Sequence, residues 1–107
     1  MASMGWIGFD FDGTLATHAS GQQELGEPIE PIVALAKQYL AAGYEVRIVT
    51  ARAPEIVWRM AIRDWCLKHI GQMLVVTDKK DFDMLLLYDD RAVSVEPNTG
   101  RVSGFRL

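Results

Sequence analysis

The chain alternates between short apolar runs and segments that are polar or contain glycine. Runs rich in Val, Ile, Leu and Phe, bounded by turn residues, predict buried strands. We predict strands over residues 5–10, 44–49, 73–76, 84–88 and 92–95. After the turn Pro97-Asn98-Thr99-Gly100, a short return strand is expected over 101–105. The pattern therefore predicts a protein organised around a sheet.

Helical spacing fills two of the gaps between these strands. The first helix is predicted to begin within 28–31, where proline is tolerated in a first turn, and to end at Gly43. The second helix is predicted to begin near Pro54 and to end at about His69. Strands and helices that alternate in this way predict a three-layer α/β/α fold with a doubly wound, mainly parallel sheet.

Length and charge narrow the classes of function. A single domain over 1–107 is expected from 107 residues, of which 50% are apolar. A net charge of -3 and a pI near 5.2 argue against a general surface for nucleic acid or anionic membranes. No apolar run approaches the roughly 18 residues of a membrane span, and no signal peptide is evident. We therefore expect a cytoplasmic protein without a membrane partner.

The stretch Asp10-Phe11-Asp12-Gly13-Thr14 directly follows the first predicted strand. Side chains at i and i+2 of a strand project to the same side, so Asp10 and Asp12 crowd each other unless a cation or a reaction uses them. Gly13 permits a sharp turn, and Thr14 offers a substrate anion its hydroxyl beside amide groups. A calcium loop fails on spacing, because it requires Gly at its sixth position, where this chain has Leu15. The alternative is a pair of acids that only cap a turn.

Two carboxylates placed in this way can divide the chemistry of phosphate ester hydrolysis. One attacks phosphorus as a nucleophile, while the other protonates the leaving oxygen and later deprotonates the attacking water. A hard cation is needed because a carboxylate that approaches a phosphate dianion is repelled by it. We therefore expect Mg²⁺ as the cofactor.

The stretch Phe9-Asp10-Phe11-Asp12-Gly13-Thr14-Leu15 resembles the first signature motif of the haloacid dehalogenase superfamily. Members of this family are mostly magnesium-dependent phosphatases that act through an aspartyl-phosphate on a Rossmann-like sheet. The resemblance implies that Asp10 is the nucleophile and a metal ligand. It also implies that Asp12 is the acid/base and gives its backbone carbonyl to the metal. Asp at position 12 is typical of the phosphatase branch, so the expected enzyme is a phosphoric monoester hydrolase.

Further site residues are expected at the end of the second predicted strand, because ligands of open parallel sheets bind at the carboxyl ends of strands. The Thr50 hydroxyl and the Ala51 amide could hold a phosphate oxygen, and this position resembles the second family motif. The string Val49-Thr50-Ala51-Arg52 also resembles phage-type polynucleotide kinase-phosphatases. Arg52 is then expected to contact a phosphate in a bidentate way, or else to be a surface residue near the helix start.

The resemblance further implies a lysine after the third strand and paired acids after the fourth. Of the two adjacent lysines, we favour Lys80 as the active-site residue, with Lys79 as the alternative. Asp89 and Asp90 resemble the paired-acid motif and are expected to complete the Mg²⁺ site, without an assignment of which one binds directly. Arg91 is expected either to neutralise one of these acids or to meet the substrate.

Two departures from the family pattern bear on the site. Eight residues separate Lys80 from Asp89, too few for a helix and a strand, so a loop or a single helical turn must connect them. No cap domain is inserted, and the segment 16–27 suits only a short flap. Selectivity would be expected to lie with its polar residues, Thr17, His18, Ser20, Gln22 and Gln23. The site is therefore expected to be open and capless, with a macromolecular phosphate or a nucleotide as substrate.

Two alternative functions stay open at this point. A polynucleotide 3′-phosphatase would be supported by a basic face and by strongly salt-dependent binding. The residues that would form this face are Arg47, Arg52, Arg59, Arg63 and Arg91. A non-catalytic regulatory module that binds phosphate and metal is the alternative from another class. One apolar helical stripe fits either core packing or a homodimer face, and it consists of Trp58, Ile62, Trp65 and Cys66.

Overall fold

The computed structural model describes residues 5–104, which form an α/β fold around a parallel sheet. The elements, in chain order, are β1 (Trp6–Phe9), α1 (Glu30–Ala41), β2 (Glu45–Val49), α2 (Ile56–His69), β3 (Val75–Thr77), β4 (Met84–Tyr88), β5 (Ser94–Val95) and β6 (Val102–Ser103). Strands β3, β2, β1 and β4 lie side by side in this order, and all of their pairings are parallel. The predicted α/β architecture and its parallel sheet are confirmed.

The observed elements follow the predicted order, with small differences at their ends. Helix α1 has a proline in its first turn, and Gly43 follows it with a φ of 91°, a left-handed conformation that favours glycine. Strand β3 is shifted toward its carboxyl end because Thr77 pairs with Val49. The two last strands form a separate antiparallel hairpin and do not join the parallel sheet. The predicted end of the return strand, Phe105, lies outside the described residues.

Both helices pack against the same face of the sheet. The paired residues Ile7 and Val46 share this face, as do Phe9 and Ile48, because partners in a parallel ladder project to the same side. They belong to one buried cluster that also contains Val33 and Ala36 of α1 and Ile62, Trp65 and Cys66 of α2. Two right-handed crossovers that advance in the same direction across a sheet place their helices in this way. The predicted stripe on α2 is therefore largely core packing.

The third layer of the predicted fold is not confirmed. Within residues 5–104, the chain connects β3 to β4 without a helix, through a loop that spans 78–83. On the second face of the sheet, Trp6 is only 1% exposed, and the Arg47 guanidinium lies 4.5 Å from the centre of its ring. The indole of Trp6 donates a hydrogen bond of 2.8 Å to Asp81 in this loop. The Trp6 amide also donates to the Asp83 carbonyl at 2.9 Å, so the short crossover is anchored to the sheet by the Asp81 side chain and by its own backbone.

The segment Ala16–Glu27 forms the predicted flap, and its two ends are tied together. The Thr17 amide donates to the Glu27 carbonyl at 2.9 Å, and the Glu27 amide donates to the Thr17 hydroxyl at 3.1 Å. The indole of Trp65 in α2 donates to the Gly26 carbonyl at 3.0 Å. The base of the flap is therefore fixed to the core. In the described part of the chain, neither helix is long and apolar enough to cross a membrane.

Candidate active site

Three of the predicted acids converge where β1 and β4 end. These strands are parallel neighbours, so Asp10 after β1 and Asp89 and Asp90 after β4 emerge at the same edge of the sheet. The Asp10 amide extends the pairing by donating to the Tyr88 carbonyl at 2.8 Å. One carboxylate oxygen from each acid lies within 4.8 Å of the others. The predicted pairing of the first and fourth motifs thus has the geometry of a small oxygen-ligand cluster.

The buried side chain of Thr14 contacts both Asp10 and Asp90. Its hydroxyl accepts a 3.0 Å hydrogen bond from the Asp90 amide and lies 3.1 Å from Asp90 Oδ1 and 3.4 Å from Asp10 Oδ2. The residue is only 7% exposed and does not line the cleft described below. We predicted Thr14 as a substrate contact, but the structure places it beneath the acids, where it fixes their positions.

Gly13 makes room for the same cluster. Its φ is 87°, and a Cβ atom built on it would lie 2.6 Å from Asp90 Oδ2. A real Cβ does not approach an oxygen this closely, so any other residue would displace the Asp90 carboxylate. The glycine of the first motif therefore serves the paired acids of the fourth as well as the turn.

The pKa values of Asp10 and Asp90 are shifted in opposite directions. Burial raises the pKa of Asp10 to about 7, helped by its hydrogen bond with Asp90 and by the negative charges of Asp89 and Asp90. Burial acts in the same upward direction on Asp90, but hydrogen bonds from Asp10 and Thr14, together with the Arg91 charge, hold the pKa of Asp90 below its usual range. Without a cation, Asp10 is therefore the member of this pair that takes up a proton first as the pH falls, and a cation would take the place of that proton.

Asp12 faces Arg52 rather than the other three acids. The guanidinium donates two hydrogen bonds to it, from Nε to Oδ2 at 2.8 Å and from Nη2 to Oδ1 at 3.1 Å. His18 Nδ1 in the flap lies 3.5 Å from the same Oδ1. The predicted bidentate contact of Arg52 is thus made to a carboxylate of the site itself.

Thr50 and Ala51 directly follow β2, at the carboxyl end of the strand. The Thr50 amide donates to the Thr77 carbonyl at 2.8 Å, which continues the pairing of β2 with β3. The Thr50 hydroxyl is buried and accepts a hydrogen bond from the Arg52 amide at 3.2 Å. Both Thr50 and Ala51 line the cleft, as the expected phosphate site requires.

These residues surround an open cleft of about 970 Å³ at the carboxyl ends of the strands. Five of its lining residues are acids, and Arg91 and His18 are the basic ones. The full lining consists of Asp10, Asp12, Gly13, His18, Ser20, Gly21, Val49, Thr50, Ala51, Asp78, Asp89, Asp90 and Arg91. An acidic cleft does not attract a phosphate by itself, so a cation is needed before an anion can bind there.

The structure does not bring either predicted lysine into this cleft. Lys79 is 83% exposed at its side chain, and its Nζ lies 3.8 Å from Asp78 Oδ1. Lys80 is also exposed and is not among the lining residues. The short crossover from β3 turns both side chains outward, and Asp78 occupies the cleft wall instead. Over the described residues 78–83, the absence of a helix between β3 and β4 agrees with the short connection of eight residues between Lys80 and Asp89.

Sequence reasoning assigned no role to Asp78 and weighed His18 only as a flap residue. Asp78 follows the strand end at Thr77 directly, and this position alone could have marked it as a lining residue. The signal in His18 was weaker, because a polar flap residue can point in any direction. Its proximity to Asp12 depends on how the flap folds back.

Comparison with known proteins supports the fold and nothing finer. No protein-family model matches the chain, and no curated protein matches it. A solved structure of a conserved protein from Bacteroides thetaiotaomicron is similar, with a TM-score of 0.60 and 22% sequence identity. The match covers 82% of this chain and 77% of that one. This likeness is in agreement with a Rossmann-like α/β fold.

Proposed function

We propose that this protein is a magnesium-dependent phosphomonoester hydrolase, a capless member of the haloacid dehalogenase superfamily, which acts through an aspartyl-phosphate at Asp10. The observation that carries the proposal is the convergence of Asp10, Asp89 and Asp90, with one oxygen of each within 4.8 Å of the others. This convergence lies beside Thr50 and Ala51 in the same cleft. Three separate strand-end segments, after β1, β2 and β4, thereby meet in one cleft, and this supports phosphoryl transfer to a carboxylate.

The donor set fits Mg²⁺. Carboxylate oxygens are the hard ligands that this ion prefers, and it commonly takes one or two of them together with substrate phosphate and water. The raised pKa of Asp10 reflects burial and the neighbouring charges of Asp89 and Asp90, which a divalent cation would neutralise. When bound, Mg²⁺ would offset the repulsion between the acids and a phosphate dianion and stabilise charge in the transition state.

The chain's own residues supply the covalent steps. An Asp10 carboxylate oxygen attacks phosphorus, the bond from phosphorus to the ester oxygen breaks, and Asp12 gives its proton to the leaving oxygen. In the second step Asp12 takes a proton from water, the water oxygen attacks phosphorus, and the bond from Asp10 to phosphorus breaks. Inorganic phosphate leaves, and both acids return to their starting states.

Three further groups would orient the phosphate. Thr50 and Ala51 line the cleft, and the Thr50 hydroxyl and the Ala51 amide would donate to phosphate oxygens. Arg91 lines the same cleft, and its amide is fixed by a 2.9 Å hydrogen bond to Asp89 Oδ1. Its guanidinium would add to the cleft a positive charge of the kind that the family pattern expects from a lysine. Arg91 therefore takes over part of the role expected of Lys80.

The open cleft favours a substrate large enough to exclude water from the site. A closed cavity would exclude water by itself, whereas this cleft needs a macromolecular phosphate or a second subunit to do so. The basic face expected of a polynucleotide 3′-phosphatase gains no support. Arg47 is engaged by Glu45 at 2.6 Å and by Asp81 at 3.4 Å, and Arg52 is engaged by Asp12.

Phosphate release from an aryl phosphate, nucleotides, sugar phosphates, a phosphopeptide and a 3′-phosphorylated oligonucleotide tests the proposal. Release is expected with Mg²⁺ and not with a chelator, and Asp10→Asn should reduce it by at least about a thousandfold because the nucleophile is lost. Asp64→Asn, which changes an exposed acid of α2, is the matched control and should leave the rate unchanged. Magnesium binding without turnover of any substrate would instead favour the non-catalytic module.

A further inference from the structure

Arg52 joins three parts of the molecule through one side chain. Its Nε and Nη2 donate to Asp12, and its Nη1 donates to the Gln23 carbonyl of the flap at 2.6 Å. The guanidinium also lies 4.5 Å from the ring centre of Trp58 in α2. The side chain is only 14% exposed, so its planar fork is held in place on several sides.

Arg52 ties the outer part of the flap to the site, beside the contact of 3.5 Å between His18 Nδ1 and Asp12 Oδ1. The base of the flap is fixed to the core through Thr17, Glu27 and Gly26, as described above. Farther out, the amide of Gln22 donates to the Ala19 carbonyl at 2.9 Å, which closes a local turn within the flap. The contact from Arg52 to Gln23 ties this turn to the site. A charged donor to a carbonyl is stronger than a neutral one, so its loss should loosen the segment.

Arg52 is also next to the place where a phosphate is expected. Its amide donates to the Thr50 hydroxyl, and Thr50 and Ala51 line the cleft. A phosphate dianion held by these two residues would lie beside a guanidinium that is already bonded to Asp12. Phosphate is a bidentate acceptor of the same geometry as a carboxylate and carries more charge, so it competes for the same donors.

We propose that Arg52 is a latch that positions the flap and Asp12, and that a phosphate group entering beside Thr50 releases it. In the latched arrangement the fork holds Gln23 and Asp12 together. When the guanidinium turns to the phosphate, Asp12 loses two hydrogen bonds and becomes available to the leaving oxygen. The flap then loses its hydrogen bond from Arg52 to the Gln23 carbonyl. The release step rests on the proposed function, because that function places the phosphate; the positioning of the flap does not.

Hydrogen exchange of the flap amides, read by mass spectrometry on peptides within 17–27, tests whether Arg52 positions the flap. Arg52→Met should speed exchange of the Gln22 region roughly tenfold or more, because a charge-assisted hydrogen bond is lost. Arg52→Lys keeps the charge without the fork and should give an intermediate increase. Arg59→Met is the matched control, since Arg59 donates to the Ala53 carbonyl at 3.0 Å and has no such contact with the flap. Unchanged exchange in Arg52→Met, or an equal increase in Arg59→Met, would overturn the latch.

Hydrogen exchange of the same peptides with inorganic phosphate and Mg²⁺ tests whether phosphate releases Arg52 from the flap. In the unchanged protein, phosphate should speed exchange of the flap severalfold, whereas in Arg52→Met it should add nothing. No effect of phosphate on the unchanged protein, at concentrations that inhibit its hydrolysis of aryl phosphate, would overturn the release step.

Kinetics separates the latch from the proposed function. Arg52→Lys should lower kcat more than it raises KM, because the planar fork that passes from Asp12 to the phosphate is lost while the phosphate keeps a cationic partner. Equal rates for Arg52→Lys and the unchanged enzyme would overturn the role of the latch in turnover, with the phosphatase itself intact. If the unchanged protein hydrolysed no substrate, the proposed function would fail, and the exchange difference between Arg52→Met and Arg59→Met would still decide the positioning of the flap.

Discussion

The turns that follow β1 and β3 invite comparison, because both place charged residues directly after a strand. After β1, Asp10 leads into a buried Thr14 whose hydroxyl bonds to an acid from β4. After β3, the Thr77 hydroxyl accepts a hydrogen bond from the amide of Lys79 two residues later, and both lysines face solvent. Asp78, directly after β3, lines the cleft, whereas the two lysines that follow it do not, so a charge near a strand end does not by itself become part of the site. Packing against a neighbouring strand end decides the matter.

Sheet order explains the difference between the two turns. Strand β1 is central and has β2 and β4 on its two sides, so the turn after it meets the ends of both neighbours. Strand β3 is at the edge and pairs with β2 alone. The loop after β3 must also cross to β4 within residues 78–83, and it returns along the sheet to bond Trp6 through Asp81. Because residues 79–83 follow this path, the two lysines do not line the cleft.

The largest effect is expected for Gly13→Ala, which tests the crowded turn after β1. The new Cβ would strain a φ of 87° and meet Asp90 Oδ2 at 2.6 Å. We expect loss of activity and a decrease of about 2–4 kcal/mol in the free energy of unfolding. Gly21→Ala is the control, because Gly21 has a φ of 78° with nothing within 4 Å of its Cβ position. Equal losses from both variants in denaturant titrations would show that backbone strain alone matters.

Thr14→Val and Thr77→Val compare the two turns directly with one chemical change. Removing the buried Thr14 hydroxyl leaves the amide of Asp90 without its acceptor and takes one hydrogen bond from Asp10, so the free energy of unfolding should fall by about 1–3 kcal/mol. Removing the Thr77 hydroxyl deprives only the exposed Lys79 amide and should cost about 0.5–1 kcal/mol. Chemical denaturation measures both. The contrast between the turns fails if Thr77→Val is the more damaging variant.

A smaller effect is expected from pH. The pKa of Asp10 is raised from 3.8 to about 7 in the folded protein, so its contribution to stability is fully present below pH 3.8 and is lost as the pH rises through about 7. The melting temperature of the metal-free protein should therefore lose this contribution over that interval, by an amount that solvent screening reduces. Mg²⁺ should reverse the loss at neutral pH. In Asp10→Asn this component of the pH dependence should disappear; its persistence there would assign it to another group.

The smallest effects are expected for Lys79→Ala and Lys80→Ala. Both side chains are exposed and neither lines the cleft, so each variant should change the free energy of unfolding by less than about 0.5 kcal/mol. The rate of phosphate release should change less than about threefold, since an exposed charge outside the cleft is screened by solvent. A fall in kcat of a hundredfold for Lys80→Ala would mean that the turn after β3 closes on the site during turnover.

Residues close to the first motif could be predicted well from the sequence. An apolar run followed by Asp10 and Asp12 specifies a strand end, and the apolar run before Asp89 specifies another. Their meeting requires only that β1 and β4 be neighbours in a parallel sheet. The depth of Thr14 was beyond sequence reasoning, because it depends on the hydrogen bond from the Asp90 amide, which is distant in the chain.

The partners of Arg52 and the direction of the lysines could not be predicted for a different reason. Each depends on the path of an irregular segment, the flap for Arg52 and the crossover loop for Lys79 and Lys80. Periodicity fixes which face a helix or strand residue takes, but it says nothing about a loop. The short length of the crossover did predict that a helix would be missing between β3 and β4, and this is confirmed.

The most direct test of the central claim is to locate the phosphoryl group during turnover. The protein would be mixed with an aryl phosphate and Mg²⁺, quenched in acid within the first turnovers, digested and mapped by tandem mass spectrometry. A phosphoryl group is expected on Asp10, and it should be absent when Mg²⁺ is chelated and absent in Asp10→Asn. Rapid turnover with the phosphoryl group on another residue, or with none trapped on Asp10 under any quench, would contradict the central claim.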